Sequence, residues 1–209
     1  MTGDRSGAAG DRTVPGRDDG GTTAIDPPVP PHQIRYGSAC IGDLDAFLGD
    51  LDAISTETGA VVQAFDAGLV VSEAHLREAT RLAARAIARG EAVARDPGVE
   101  ILLYAAGCRQ IDRALRLGVD EGENRVVVLV ADFGAVSGAE RPPSDVGAAV
   151  AAVEERTSFV PADDSGSARG FDEDRVREAF DIGDRELGAV DGDIADVVRE
   201  RVALLDVEK

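Results

Sequence analysis

The stretch that most constrains this chain is an apolar run interrupted by one glycine, VEILLYAAGCRQIDRALRLG, spanning Val99–Gly118. Ile101–Ala106 is a continuous apolar segment of a length typical of buried strands, so we predict a strand there. Gly107 breaks the run, and the apolar residues that follow recur at helical spacing with charged residues between them. The pattern predicts a strand, a tight turn and a short helix. We expect Arg109 and Gln110, both strong hydrogen-bond formers, to be exposed at the turn.

The segments around this stretch predict further helices and strands. Helices are predicted at Asp43–Glu57, at Ser72–Arg95 with Ser72 as N-cap, after a cap at Ser144 or Asp145, at Asp172–Phe180 and at Ile194–Val198. Strands are predicted at Gln33–Ala39, Ala60–Phe65 and Val126–Val130. Asp96-Pro97-Gly98 is interpreted as a helix stop, and Val202–Val207 fits either a closing strand or the end of the last helix. Helices and strands mix without strict alternation, which favours an α+β domain over a doubly wound sheet.

Composition sets the domain boundaries. Residues 1–31 are rich in Gly, Asp, Thr and Pro, and we predict a disordered tail because too little apolar surface is present to offset the entropy of ordering. Residues 32–209 provide enough chain for a single domain with one core. Within it, Pro161–Gly170 is predicted to be a flexible surface loop.

The charge balance is strongly acidic, with 22 Lys and Arg residues against 40 Asp and Glu, a net charge of −18. Lys209 is the only lysine. Such a surface suits a halophilic cell interior, where the Debye length falls to about 3 Å at 1 M salt and self-repulsion is screened. The acidity therefore does not exclude a nucleic-acid partner. The sequence has no membrane-length apolar run and no signal peptide, so we expect a cytoplasmic protein without membrane contact.

The sequence offers little support for catalysis, and we predict neither a cofactor nor a metal site. Cys40 and Cys108 form no CxxC pair, and the glycines form neither a P-loop nor GxGxxG. Cys108 follows a turn near a helix start, where a thiol pKa can fall, but a small apolar role is the simpler interpretation. His75 has no obvious carboxylate or serine partner. A small enzyme that uses Cys108 and His75 is kept as an alternative.

Arginines recur every four residues along the longest predicted helix and form a stripe opposite its apolar face. One interpretation is a solvated face with weak ion pairs such as Glu73 with Arg77. The other is a ridge that contacts phosphates, extended by Arg109 and Gln110 at the turn. The predicted RNA-binding residues are Arg77, Arg81, Arg85, Arg89, Arg109 and Gln110.

Three segments, VSEAHLREATRLAARAI, VEILLYAAGCRQIDRALRLGV and VVVLVAD, resemble the small kinase-binding subunit of the KEOPS complex, the TPRKB family. The similarity runs from about Gln33 to the C-terminus. It implies an α+β fold with a small, mostly antiparallel sheet flanked by helices. It also implies a non-catalytic subunit of the complex that makes threonylcarbamoyladenosine in tRNA. Such a subunit binds the kinase-like ATPase of the complex and holds the 3′ CCA end of tRNA.

For the kinase-like partner we predict contact through the C-terminal segment. The predicted partner-binding residues are Ile194, Val197, Val198, Leu204 and Leu205. The alternative is that this apolar face packs on its own domain. A further alternative for the function is a protein-only activator of the kinase-like partner that has no contact with RNA.

Overall fold

The computed structural model describes residues 27–162, 170–190 and 192–206. Four strands form one sheet in the order β2-β3-β1-β4, and every neighbouring pair is antiparallel. The strands are β1 (His32–Ile41), β2 (Val61–Asp66), β3 (Gly122–Ala131) and β4 (Phe159–Pro161). The predicted α+β class and antiparallel sheet are confirmed.

Helices cover both faces of the sheet. They are α1 (Leu44–Thr58), α2 (Glu73–Ala88), α3 (Pro97–Ala105), α4 (Ile111–Ala114), α5 (Val146–Arg156), α6 (Glu173–Phe180), α7 (Asp184–Leu187) and α8 (Ile194–Leu204). A single 3₁₀ turn, Leu115–Leu117, continues α4. None of the helices in the described residues is both long and apolar enough to cross a bilayer.

The two faces of the sheet belong to two apolar clusters. On one face, α1 and α5 pack on alternate residues of β3, such as Val128. On the other face, α2, α3, α6 and α8 pack on the remaining residues, such as Val127 and Leu129. Alternation of side chains along β3 thus serves two cores, which is why its sequence is apolar throughout.

Side-chain caps start most of the longer helices where the sequence predicts them. Ser72 accepts the backbone N–H of His75 at 3.2 Å, and Asp145 rather than Ser144 caps α5. Asp172 caps α6 in the same way. These caps satisfy backbone donors that a helix leaves unpaired in its first turn.

The prediction of a strand at Ile101–Ala106 is wrong, because these residues form most of α3. Asp96 is its N-cap, accepting the N–H groups of Gly98 and Val99 at 2.8 and 3.1 Å, and Pro97 occupies the first turn. Asp96-Pro97-Gly98 is therefore a helix start rather than a helix stop. The helix is buried on nearly all sides, so its sequence shows no polar face from which a helical period is recognised.

The helix predicted at Ser72–Arg95 is shorter than its apolar pattern indicates, because α2 ends at Ala88. Gly90 adopts a positive φ of 69° just after its end. The buried carboxylate of Glu100 then accepts two backbone N–H groups of the following loop at 3.0 and 2.8 Å. This loop therefore gains backbone hydrogen bonds from a side chain instead of from a continued helix.

Two predicted segments lie partly outside the described residues. They are the predicted tail, at residues 1–26, and the predicted loop, at residues 163–169. Pro30, near the end of the predicted tail, is buried, and the Pro31 carbonyl accepts the N–H of Asp132 at 2.8 Å. Of the two alternatives for Val202–Val207, the structure shows the helical one through Leu204.

Candidate functional site

The turn after α3 is built as a Schellman motif. Gly107 adopts a φ of 57°, a left-handed conformation that glycine takes without a steric penalty. The N–H of Gly107 donates to the Tyr104 carbonyl at 2.9 Å, and that of Cys108 donates to the Leu103 carbonyl at 3.2 Å. The motif ends α3 sharply and sends the next residue, Arg109, toward the end of α8.

Arg109 is half-buried and binds the backbone of the C-terminal helix. Its Nη2 donates to the carbonyl of Leu205, the C-cap of α8, at 2.8 Å. The last carbonyls of a helix lack partners within the helix, and they lie at the negative end of its dipole. A guanidinium group at this position therefore stabilises the end of α8 through both hydrogen bonding and charge.

A second arginine reaches the same helix end. Arg85 on α2 forms an ion pair with Asp206, with 3.2 Å between Nη1 and Oδ2. The Tyr104 hydroxyl donates to the other carboxylate oxygen of Asp206 at 3.1 Å. Burial, with the nearby Asp206 carboxylate as a further cause, raises the pKa of Tyr104 well above its usual value. We call these four residues, Arg85, Tyr104, Arg109 and Asp206, the α8 cap cluster.

The remaining arginines of the predicted stripe differ in their surroundings. Arg81 binds Glu78 through two hydrogen bonds of 3.0 and 2.6 Å, which hold the pKa of that carboxyl below its usual value. Arg89 is exposed at the C-cap of α2. Arg77 is exposed beside a groove between α2 and α8, and within the described part of the chain no hydrogen bond or ion pair involves its side chain.

Gln110 lies exposed at the start of α4, and its side chain makes no capping hydrogen bond. Ile111, Ala114 and Leu115 are the apolar residues at helical spacing after Gly107. The structure buries Ala114 and leaves Ile111 and Leu115 46% and 57% exposed. An exposed amide therefore lies next to an apolar patch one helical turn long.

The start of α2 lies against the end of α3. His75, near the start of α2, donates its Nε2–H to the carbonyl of Ala105 at the end of α3, at 2.8 Å. Arg77 follows His75 by two residues, and Gln110 follows Ala105 by five. Arg85 and Arg109, by contrast, meet at the α8 cap cluster.

The predicted partner-binding face of α8 is largely buried in its own domain. Ile194, Val197 and Val198 are 5%, 2% and 0% exposed, and Leu205 is 8% exposed. These four residues belong to the core shared with α2 and α3, as the alternative interpretation of the sequence described. Contact of this face with a partner stays a prediction, and Leu204, 46% exposed, is the member of the set that lies at the surface.

The two residues considered for catalysis, His75 and Cys108, differ in how deeply they are buried. His75 is fully buried, and burial lowers its pKa to about 4. Cys108 is half-buried at the turn, with its Sγ 3.6 Å from the Gln110 carbonyl. In the described part of the chain no cluster of His, Cys, Asp or Glu side chains has the arrangement of a metal site.

A family model described as Kinase binding protein CGI-121 matches residues 50–206, which is most of the chain. The chain belongs to this family. The CGI-121 match confirms the family resemblance seen in the sequence. It also confirms that the chain is of a kinase-binding class of protein. That class points to a non-catalytic role. A comparison with curated proteins finds no match.

The CGI-121 match covers the elements of the candidate site, from α2 through the turn after α3 to α8. Sequence reasoning found the arginines of this region and missed Tyr104 and Asp206. These two residues bind each other, and Asp206 also pairs with Arg85. The available signal was Asp206 itself, an acidic residue directly after an apolar helix end, where a cation is normally favoured. An acid there is unfavourable on its own, and the ion pair with Arg85 offsets this.

Proposed function

We propose that this chain is a non-catalytic subunit of the KEOPS complex, which forms threonylcarbamoyladenosine in tRNA. In this proposal it binds the kinase-like ATPase of the complex and recruits tRNA through its 3′ CCA end. The match to the kinase-binding family carries the first half of the proposal. The arrangement of exposed polar and apolar side chains around Gln110 supports the second half.

The region around Gln110 has the chemistry that single-stranded RNA requires. Proteins hold unpaired bases by stacking or apolar contact and by hydrogen bonds to base edges. Ile111 and Leu115 offer apolar surface, and Gln110 offers an amide donor and acceptor. Arg77 adds an exposed guanidinium group on α2. Base contacts of this kind persist in concentrated salt, where phosphate contacts weaken.

Binding of tRNA in molar KCl tests this half of the proposal. Intact tRNA is compared with tRNA that lacks its terminal CCA, using the unaltered chain and the variants Gln110→Ala and Arg77→Gln. We expect loss of the CCA end and the Gln110→Ala change to weaken binding strongly, and Arg77→Gln to weaken it less. Arg35→Gln on β1 is the matched control, because Arg35 is also exposed, and its position opposite Val128 places it on the other face of the sheet. Equal binding of both tRNAs would contradict the proposal.

A protein-only activator is the second candidate, and the α8 cap cluster favours it. Arg81, Arg85 and Arg109, half of the predicted RNA-binding set, are each paired within the chain. Under this alternative, Gln110→Ala leaves both activation of the kinase-like partner and tRNA modification unchanged. Reduced modification with intact partner binding excludes it.

Contact with the kinase-like ATPase is tested at Leu204. We expect Leu204→Asp to reduce co-elution of the two purified subunits in size-exclusion chromatography, because it places a charge on the exposed apolar position of α8. Val160→Asp is the control, since Val160 is 61% exposed on the edge strand β4. A partner that co-elutes equally with both variants argues against docking at this part of α8.

A further inference from the structure

A buried hydrogen bond joins the start of α2 to the end of α3, just before the turn that carries Gln110. Ala105 is the last residue of α3 and is 0% exposed, so its carbonyl is closed to solvent. In the described residues no backbone N–H donates to this carbonyl, because those of Gly107 and Cys108 donate to earlier carbonyls of α3. The Nε2–H of His75, at 2.8 Å, therefore supplies the partner that the helix end lacks.

The imidazole ring of His75 makes one polar contact in the described part of the chain, and that contact is with Ala105. The ring packs edge-to-face on the ring of Phe180, and its Nδ1 is buried without a partner. A buried polar atom without a partner costs stability. A phenyl ring would fill the same space without this cost, but it would leave the Ala105 carbonyl unpaired. The donor to Ala105 is therefore what the imidazole adds at this position.

The turn is held at two points, one on each side of Gly107. Before Gly107, the bond from α2 holds the carbonyl of Ala105. After Gly107, Arg109 donates to the Leu205 carbonyl at the end of α8, at 2.8 Å. Gln110 directly follows Arg109 and is exposed. Its place on the surface therefore depends on both bonds.

We propose that His75 is a positioning residue for the turn that carries Gln110. This role rests on the proposed function, in which the turn contacts the CCA end of tRNA. A site on a turn binds well when the turn keeps one geometry, because ordering the turn on binding would cost free energy. His75 fixes the carbonyl from which the turn leaves α3 and so lowers that cost. The ring is fully buried and does not itself contact RNA.

Two amide variants of His75 separate the hydrogen-bond donor from the rest of the side chain. In His75→Gln the amide nitrogen reaches about as far as Nε2, so the bond to Ala105 can form. In His75→Asn the amide nitrogen reaches only as far as Nδ1, so this bond is lost. Ile54→Ala is the control for lowered stability alone, because Ile54 is fully buried in the core on the other face of the sheet.

Backbone amide exchange of the full chain without RNA tests the positioning itself. The N–H groups of Gly107 and Cys108 should exchange at least about fivefold faster in His75→Asn than in the unaltered chain, the factor that corresponds to one lost hydrogen bond. Their rates should stay unchanged in His75→Gln and in Ile54→Ala. Equal rates in the two His75 variants overturn the proposal, and so does an equal acceleration in Ile54→Ala, which would show only a loss of stability.

Binding of intact tRNA and of tRNA without its CCA end, in molar KCl, tests the consequence for RNA contact. His75→Asn should reduce the preference for intact tRNA by about fivefold, whereas His75→Gln and Ile54→Ala should retain it. Faster exchange at the turn with an unchanged preference overturns the proposal. An unaltered chain that shows no preference refutes the proposed function instead, and the exchange rates still decide whether His75 holds the turn.

Discussion

Protonation of His75 should make the protein unstable in mild acid. The imidazole is fully buried between α2, α3 and α6, with its ring 6.1 Å from that of Phe180 in an edge-to-face arrangement. Its Nε2–H donates to the Ala105 carbonyl, and its Nδ1 has no partner among the described residues. A second proton would therefore add an uncompensated charge to the core, which is why burial lowers the pKa from 6.5 to about 4.

The size and the pH range of the effect follow from linkage. One pH unit corresponds to about 1.4 kcal/mol, so protonation of His75 costs about 3 kcal/mol more in the folded than in the unfolded chain. Between pH 6.5 and 4 the unfolded state binds the proton and the folded state does not. The contribution of the neutral ring to stability is therefore complete above pH 6.5 and is lost as the pH falls toward 4.

Urea unfolding in molar KCl between pH 7 and pH 4 measures this effect. His75→Gln is the comparison, because its amide can keep the donor to Ala105 but does not titrate. We expect the unaltered chain to be the more stable at pH 7 and its advantage to shrink by about 3 kcal/mol at pH 4. His32→Gln is the control, since His32 is the other histidine of the chain. Parallel pH curves for the unaltered chain and His75→Gln would refute the reasoning.

Three further predictions concern the turn, the α8 cap cluster and the acidic surface. Gly107→Ala should lower the free energy of unfolding by about 1–2 kcal/mol, because alanine is strained at positive φ and its Cβ would lie 3.3 Å from the Cβ of Arg201. Urea unfolding measures this, and the control Gly42→Ala, whose Cβ would have nothing within 4 Å, should leave the free energy nearly unchanged. In a Tyr36→Phe variant, where Tyr104 is the only tyrosine left, absorbance at 295 nm should stay constant as the pH rises past the usual tyrosine range and increase only on unfolding, because the raised pKa keeps the hydroxyl protonated. Thermal unfolding should shift to higher temperature with added KCl and not with an uncharged osmolyte at low concentration. The excess acidic side chains, which give a net charge of −18, repel one another until salt screens them.

Local signals in the sequence were enough to predict much of the fold. β1, α1, β2, β3 and α6 lie where periodicity and caps placed them, within a few residues. The failure at α3 has a physical cause. A helix buried on all sides carries no alternation of apolar and polar residues, so a short apolar run is equally compatible with a strand. The cap at Asp96 and the proline after it were the local signals that favour a helix.

The candidate site was predictable only in part, because its decisive contacts join distant parts of the chain. Spacing alone placed the four arginines of α2 on one side of the helix. It gave no sign that Arg85 pairs with Asp206, or that Arg109 reaches the Leu205 carbonyl ninety-six residues away. Such pairings depend on how α8 crosses α2 and α3, and this is set by the packing of the core rather than by any local pattern.

The α8 cap cluster also determines how arginine variants in this region should be interpreted. Arg85→Ala removes the ion pair with the partly buried carboxylate of Asp206. Loss of Arg109 removes the hydrogen bond to a helix-end carbonyl, so each variant should destabilise the end of α8. Reduced RNA or partner binding by either one is then expected from the structural change alone. Arg77 and Gln110 carry no such contacts in the described residues. A binding defect in Arg77→Gln or Gln110→Ala with an unchanged urea midpoint is therefore the result that assigns RNA contact to this surface.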